Sequence, residues 1–161
     1  MIEKRGNKTD RTVLMENAVQ RFFEKKYEIE MSPEVRLYNG GYADLCGWIK
    51  DKNDEIRDFI VVEIKQSHND FYSGYGLNFV GMSNYIAVPP ELVGFSIEFL
   101  REEGFGFVGV LEVDSRCFVR EVIRPETNPD SDYTKARYKK SMVWYFIPPL
   151  HLLENWKERI Q

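Results

Sequence analysis

Apolar residues recur at helical spacing near the start of the chain. Between residues 10 and 26 they fall three and four positions apart, which predicts an amphipathic helix with Asp10 or Thr12 as its N-cap. Glu16 lies at the rim of the apolar face rather than opposite it. The residues of this face are Leu14, Met15, Ala18, Val19, Phe22 and Phe23. Residues 1–10 are polar and predict a loose tail.

Three strand-like segments follow this helix. Residues 34–38 alternate between apolar and polar, residues 42–49 form a second segment, and the Asn-Gly-Gly sequence at residues 39–41 is typical of a hairpin turn. Residues 59–65 are apolar on both faces until Glu63, as expected of a central strand that is covered on both sides. The pattern therefore predicts a three-stranded antiparallel meander.

The second half of the chain continues this alternation of helices and strands. Residues 67–82 are rich in glycine and predict a short helix or an ordered loop. Residues 85–88 predict a strand that ends at a proline pair, and residues 93–102 predict a helix. Residues 107–113 and 117–123 predict two further strands.

The chain shows no internal repeat and no linker, so residues 1–161 are predicted to form one domain. Its class is α/β in an α+β arrangement, with a central mixed sheet flanked by helices. Residues 131–161 predict a mostly helical C-terminal extension. The strand aromatics Phe105, Phe107 and Phe118 are interpreted as core residues.

Composition narrows the classes of function. The chain has 161 residues, of which 43% are hydrophobic, which is sufficient for one compact core. The net charge of -4 argues against a protein that coats nucleic acid through its overall charge. The polar start predicts no signal peptide, and no apolar run is long enough for a membrane span. Cys46 and Cys117 lie far apart, which argues against a disulfide scaffold and favours a reducing cytoplasm.

Candidate chemistry lies at the end of the third predicted strand. Glu63 and Lys65 are two residues apart and share one face, and hairpin pairing would bring Asp44 beside Glu63. Two carboxylates in a partly desolvated cleft repel each other, and a divalent cation relieves that repulsion. Carboxylate oxygens suit Mg²⁺ or Mn²⁺, and such a site suits phosphodiester hydrolysis. From these residues alone, an exposed strand end with a salt-bridged pair is an equal alternative.

The strings "GGYADLCGWI" and "FIVVEIKQSHNDF" resemble, in this order, the PD-(D/E)XK nuclease superfamily, and most of all its small bacterial and phage members related to the MmcB-type DNA-repair proteins. The matching features are Asp44, Glu63, Lys65, an Asp-Phe pair at residues 70–71 and the aromatic strand in "NYIAVPPEL". They extend over roughly residues 12–123.

This resemblance implies a restriction-endonuclease-like core of helix, three-stranded antiparallel meander, helix and strand. It also implies an Mg²⁺- or Mn²⁺-dependent deoxyribonuclease in DNA repair, recombination or phage-type processing, with Asp44 and Glu63 as metal ligands. Lys65, Glu16 and Gln66 complete the implied catalytic set. An ordinary surface glutamate is the alternative for Glu16, and strand alternation turns Gln66 away from Lys65.

The glycine-rich segment "SGYGLNFVGMSN" departs from the family pattern, because a continuous helix normally packs on the sheet there. His68 and Asp70 directly follow the catalytic strand and could extend the site, with solvated turn residues as the alternative. Four basic residues in the C-terminal segment are candidates for phosphate contacts, although an amphipathic helix whose aromatic side chains cap the core is the better explanation. They are Lys135, Arg137, Lys139 and Lys140.

Three hypotheses about function therefore stand together. The first is a metal-dependent nuclease on DNA, with RNA as a further substrate and a homodimer both left open. The second is a nucleic-acid-binding module of the same fold that does not cleave. The third is an assembly subunit with no nucleic-acid role, which the acidic net charge and the aromatic C-terminal segment favour.

Overall fold

The computed structural model describes residues 9–37, 41–50, 52–53, 56–72 and 77–129. Most of the predicted polar tail, residue 38 of the first predicted strand and residues 39 and 40 of the predicted hairpin turn lie outside these ranges. The predicted C-terminal extension, with the four basic residues Lys135, Arg137, Lys139 and Lys140, also lies outside the described residues.

A six-stranded mixed sheet forms the centre of the molecule, and its strands lie side by side in chain order. The helices are α1 (Asp10–Tyr27), α2 (His68–Tyr72) and α3 (Val93–Glu102), and a 3₁₀ turn at Pro90–Leu92 leads into α3. The strands are β1 (Ser32–Arg36), β2 (Tyr42–Lys50), β3 (Ile56–Ile64), β4 (Ser83–Val88), β5 (Gly109–Val113) and β6 (Val119–Ile123).

The pairing of neighbouring strands changes from antiparallel to parallel and back to antiparallel across the sheet. β1 pairs with β2 and β2 with β3 in antiparallel fashion, as the alternating and turn patterns predict. β3, β4 and β5 run parallel, since helical crossovers join them, and β6 returns antiparallel to β5. The described residues therefore form an α+β fold around a mixed sheet, in agreement with the predicted class.

Alternation along β3 divides the core between the two faces of the sheet. Ile60, Val62 and Ile64 pack with the apolar stripe of α1, whereas Phe59 and Val61 point to the other face. On that second face, α2 and α3 cover β4 and β5 with a cluster rich in aromatic side chains. Because both faces are covered, β3 is the buried central strand that its unbroken apolar run predicts.

Some element boundaries differ from the predicted ones. Thr9, rather than Asp10 or Thr12, caps α1, and its hydroxyl oxygen accepts a hydrogen bond from the Thr12 N–H at 3.2 Å. β5 begins at Gly109 rather than at residue 107, and β6 begins at Val119 rather than at residue 117.

The interpretation of Phe118 as a core residue is wrong. In the turn before β6, the Asp114 carboxylate accepts hydrogen bonds from the backbone N–H groups of Arg116 and Phe118 at 2.9 Å each, and Cys117 takes a left-handed conformation with φ 63°. This turn leaves the Phe118 side chain outside the core, with 75% of its surface exposed. Phe105 and Phe107 lie in the loop before β5, are half-buried and pack against the aromatic-rich cluster that α2 and α3 form over β4 and β5.

The two cysteines do not form a disulfide, as their separation predicts. No helix in the described part of the chain has the length and apolar character that crossing a membrane requires.

Candidate active site

Asp44 and Glu63 lie at the ends of two neighbouring strands. Leu45 pairs with Val62 in the antiparallel register of β2 and β3, so one further step places Asp44 beside Glu63. The Asp44 carboxylate also accepts a hydrogen bond from the backbone N–H of Ile64 at 2.7 Å. This bond fixes the carboxylate at the end of β3, where the hairpin register predicts it.

The Glu63 carboxyl is buried and makes no hydrogen bond with the described residues. Only 1% of the residue is exposed, and neither oxygen has a hydrogen-bond partner among the described residues. Burial, and then the negative charge of Asp44, raise the pKa of Glu63 well above its usual range. A carboxylate in this position is unfavourable unless a positive charge offsets it.

Lys65 supplies part of that positive charge. It follows β3 directly, and its backbone N–H extends the pairing with β4 by donating to the Ala87 carbonyl at 3.0 Å. Strand alternation turns its side chain to the face of Glu63, and its charge partly counteracts the rise in the pKa of Glu63. Lys65 is itself only 5% exposed. The structure thus brings the three predicted residues Asp44, Glu63 and Lys65 together at one end of the sheet.

Two neighbours of this group were not predicted from the sequence. Cys46 is fully buried on the same face of β2, and burial, followed by the charges of Glu63 and Asp44, raises the pKa of its thiol. The backbone of Asn78 lies near the Glu63 carboxyl without meeting hydrogen-bond geometry, and it favours the charged form of Glu63 less than Lys65 does. Strand alternation from Asp44 could have identified Cys46, whereas Asn78 comes from a loop whose path no sequence pattern gives.

Asn78 belongs to the glycine-rich segment that the sequence leaves as a short helix or a loop. The structure contains both, since α2 is one short helix and residues 77–82 form a loop. The Asn78 side chain donates a hydrogen bond to the Tyr42 carbonyl at 3.2 Å, and a side chain at Gly41 would collide with it. This loop therefore closes over the start of β2, next to the acid pair.

Glu16 is fully buried on α1, which excludes the alternative of an ordinary surface glutamate. Its helix covers the sheet face that carries Val62 and Ile64, whereas Glu63 points to the opposite face. The participation of Glu16 in the acid group stays a prediction, because its side chain would have to reach around the end of β3 to the face that carries Glu63.

Gln66 joins the end of β3 to the start of α1. Its side-chain amide donates a hydrogen bond to the Thr9 hydroxyl at 2.9 Å, on the side of the sheet that strand alternation predicts. Its backbone N–H donates to the Asp70 carboxylate at 2.9 Å, which closes the turn into α2. The exposed His68 packs its ring edge-to-face on Phe95, with ring centroids 4.5 Å apart. These contacts give Gln66, Asp70 and His68 structural partners outside the acid pair.

The acid pair suits a hard divalent cation in its donor chemistry. Two carboxylates, one of them with both oxygens unpaired, match the one or two protein carboxylates that Mg²⁺ commonly uses beside water and phosphate. Across the described residues, no group of three or more His, Cys, Asp and Glu side chains is arranged to hold a metal ion. Asp44 and Glu63 are therefore the residues that would hold such a cation, with most of its ligands coming from elsewhere.

Comparison of the chain with known protein families, with curated proteins and with solved structures gave no match in any of the three.

Proposed function

We propose that this protein is a metal-dependent nuclease of the PD-(D/E)XK type that hydrolyses phosphodiester bonds in DNA. The observation that carries the proposal is the buried Glu63 carboxyl without a hydrogen bond, placed beside Asp44 and two residues before the buried Lys65. Buried ionisable groups cost stability, and groups with a strongly shifted pKa concentrate at functional sites.

The order of the elements supports the same proposal. The family resemblance implies a helix, an antiparallel three-stranded meander, a helix and a further strand, with the acids on the second and third strands. The chain has α1, then β1 to β3 in antiparallel pairing, then α2 and β4. Asp44 lies on β2 and Glu63 on β3.

Each residue has a role that follows from its position. Asp44 and Glu63 would bind Mg²⁺ or Mn²⁺, which activates water and neutralises charge on a phosphate when bound. The Lys65 ammonium orients the attacking water and offsets the negative charge that develops on the phosphate. Glu63 must lose its proton before it can bind a cation, and its pKa is raised, so activity should increase as the pH rises.

The test is cleavage of plasmid and single-stranded DNA by the purified protein with Mg²⁺ or Mn²⁺. Cleavage should require the metal, and Asp44→Asn, Glu63→Gln and Lys65→Met should each lower the rate by at least about 100-fold. Glu91→Gln is the matched control, because Glu91 is an exposed carboxylate that accepts a hydrogen bond from the exposed Arg11 at 3.3 Å, far from the acid pair in sequence and on a different element. Activity that survives Asp44→Asn or Glu63→Gln would show that the assigned site is wrong.

A nucleic-acid-binding module without cleavage is the second candidate. It is favoured by the finding that only two carboxylates converge in the described part of the site. Binding of DNA with a steep salt dependence, together with no cleavage in any divalent metal, would select this candidate.

A further inference from the structure

A basic groove lies on the α1 side of the sheet, away from the face that carries Glu63. It has a volume of about 570 Å³ and runs between the second half of α1 and the turn that precedes β6. Its lining includes four basic residues and one aromatic residue: Arg21, Lys25, Lys26, Arg116 and Phe118. No acidic residue is among the groove residues that the structure describes.

The positive charge of this groove is largely unpaired. Lys26 forms a salt bridge with Glu121 at 3.0 Å, which neutralises one of the four cations. Within the described residues, Arg21, Lys25 and Arg116 have no carboxylate within ion-pair distance, and all three are exposed. Three cations that are unpaired within the described residues, on a protein with a net charge of -4, form a local field that attracts anions.

An aromatic ring stands beside these cations. Phe118 is 75% exposed, although burial of its ring would be expected to stabilise the fold. The turn that carries it is held by the two hydrogen bonds to Asp114, so the ring is presented by an ordered segment. Exposed aromatic rings among cations are the features with which proteins bind unpaired nucleotides, since bases stack on the ring and phosphates contact the cations.

We propose that this groove binds a segment of single-stranded nucleic acid, with phosphates on Arg21, Lys25 and Arg116 and a base stacked on Phe118. The inference deepens the proposed function, and it rests on that function for the choice of nucleic acid over an acidic protein. Single strands fit better than a duplex, because a paired base is not free to stack on Phe118.

The test is binding of a short fluorescein-labelled oligothymidylate, measured by fluorescence anisotropy in EDTA so that cleavage cannot occur. Phe118→Ala should weaken binding by about 5- to 150-fold. Arg21→Gln combined with Lys25→Gln should make the plot of log affinity against log salt shallower by about 1.4, because each lost phosphate contact contributes about 0.7. All of these side chains are exposed, so the variants should keep the wild-type melting temperature.

Arg57→Gln combined with Arg101→Gln is the matched control, since both residues are exposed and lie on β3 and α3. It changes the net charge equally, so equal losses in the two double variants would overturn the proposal. Displacement of the oligonucleotide by polyglutamate of equal charge would also overturn it in favour of an acidic protein partner. Loss of affinity with the groove variants alone supports it.

A footprint on Cys117 gives a second readout. Cys117 lines the groove and is partly exposed, whereas Cys46, the other cysteine of the chain, is fully buried. Alkylation of Cys117 in the folded protein should slow when the oligonucleotide is bound, and an unchanged rate counts against the groove.

The same assays separate this inference from the proposed nuclease activity. Asp44→Asn should abolish cleavage and leave binding in EDTA unchanged. If the groove variants bind the oligonucleotide with wild-type affinity and still cleave DNA in a metal-dependent manner, the groove proposal fails and the nuclease proposal stands. Groove-dependent binding without cleavage in any metal would refute the nuclease alone.

Discussion

Replacement of Glu63 by Gln should stabilise the protein while it removes the proposed activity. The change keeps the size of the side chain and deletes its charge. In the folded protein the carboxyl is almost completely buried, has no hydrogen bond among the described residues and lies beside Asp44. In the folded state Glu63 therefore either takes up a proton or keeps a buried negative charge that Lys65 offsets only in part.

The size of the effect follows from proton linkage. Because the pKa of Glu63 is raised in the folded state, folded molecules hold this proton at pH values where unfolded ones have lost it. Wild-type stability should therefore fall by about 1.4 kcal/mol per pH unit from about pH 4.3 upward until the folded-state pKa is reached. The Gln amide lacks a partner just as the protonated carboxyl does, so this cost cancels, and the gain in stability from Glu63→Gln should grow by about 1.4 kcal/mol per pH unit over the same range.

Thermal unfolding between about pH 4 and pH 9 measures this difference. For a chain of this length, each kcal/mol of gain corresponds to a melting temperature about 2–4 °C higher than that of the wild type. The difference should shrink as the pH falls and vanish near pH 4, where the wild-type carboxyl is protonated in both states. Mn²⁺ should raise the melting temperature of the wild type but not that of the variant.

Glu98→Gln is the control, because Glu98 is an exposed glutamate on α3 and should change stability by less than about 0.5 kcal/mol. A Glu63→Gln variant that is less stable than wild type at every pH would refute the reasoning. A constant difference across the pH range would refute it as well, because the effect would then not arise from the charge.

Two further predictions concern the scaffold around the site. Glu121 accepts hydrogen bonds from the side chains of Lys26, Tyr27 and Tyr85 at 3.0, 2.8 and 2.8 Å; burial opposes its ionisation, but these bonds outweigh burial and lower its pKa. Glu121→Gln should therefore lower the free energy of unfolding in urea by about 1.5–3 kcal/mol at pH 7. This loss should disappear as the pH falls below about 4, because the wild-type carboxylate is then protonated through its lowered pKa. A loss that persists in acid would contradict this account. Asn84→Ala should cost about 1–3 kcal/mol in the same assay, because its buried amide bonds both the N–H and the carbonyl of Gly81, while an exposed control, Asn69→Ala, should stay within about 0.5 kcal/mol.

Most helices and strands follow from short-range patterns. The helical spacing of apolar residues gave α1 to within one residue at its C-terminal end, and α3 (Val93–Glu102) begins and ends where predicted. Strand ends were less accurate, as β1 and β6 show, since a strand ends where its partner ends or where a turn intervenes. The turn at Asp114 depends on side-chain hydrogen bonds that periodicity does not encode.

The candidate site was partly predictable for the same reason. Side chains two apart on a strand share a face, so Glu63 and Lys65 could be paired from spacing alone, and hairpin pairing added Asp44. Asn78 could not be found, because the path of its loop depends on contacts with β2 and on the amides of Asn84 and Asn128.

Periodicity along the chain is enough to predict the class of the fold, the central position of β3 and the common face of Glu63 and Lys65, because each depends on the period of a helix or a strand. Three features required the folded structure: Glu63 is buried without a hydrogen bond among the described residues, Glu16 is buried and Phe118 is exposed. Burial and charge compensation depend on which groups approach from distant parts of the chain, and local periodicity carries no information about that approach.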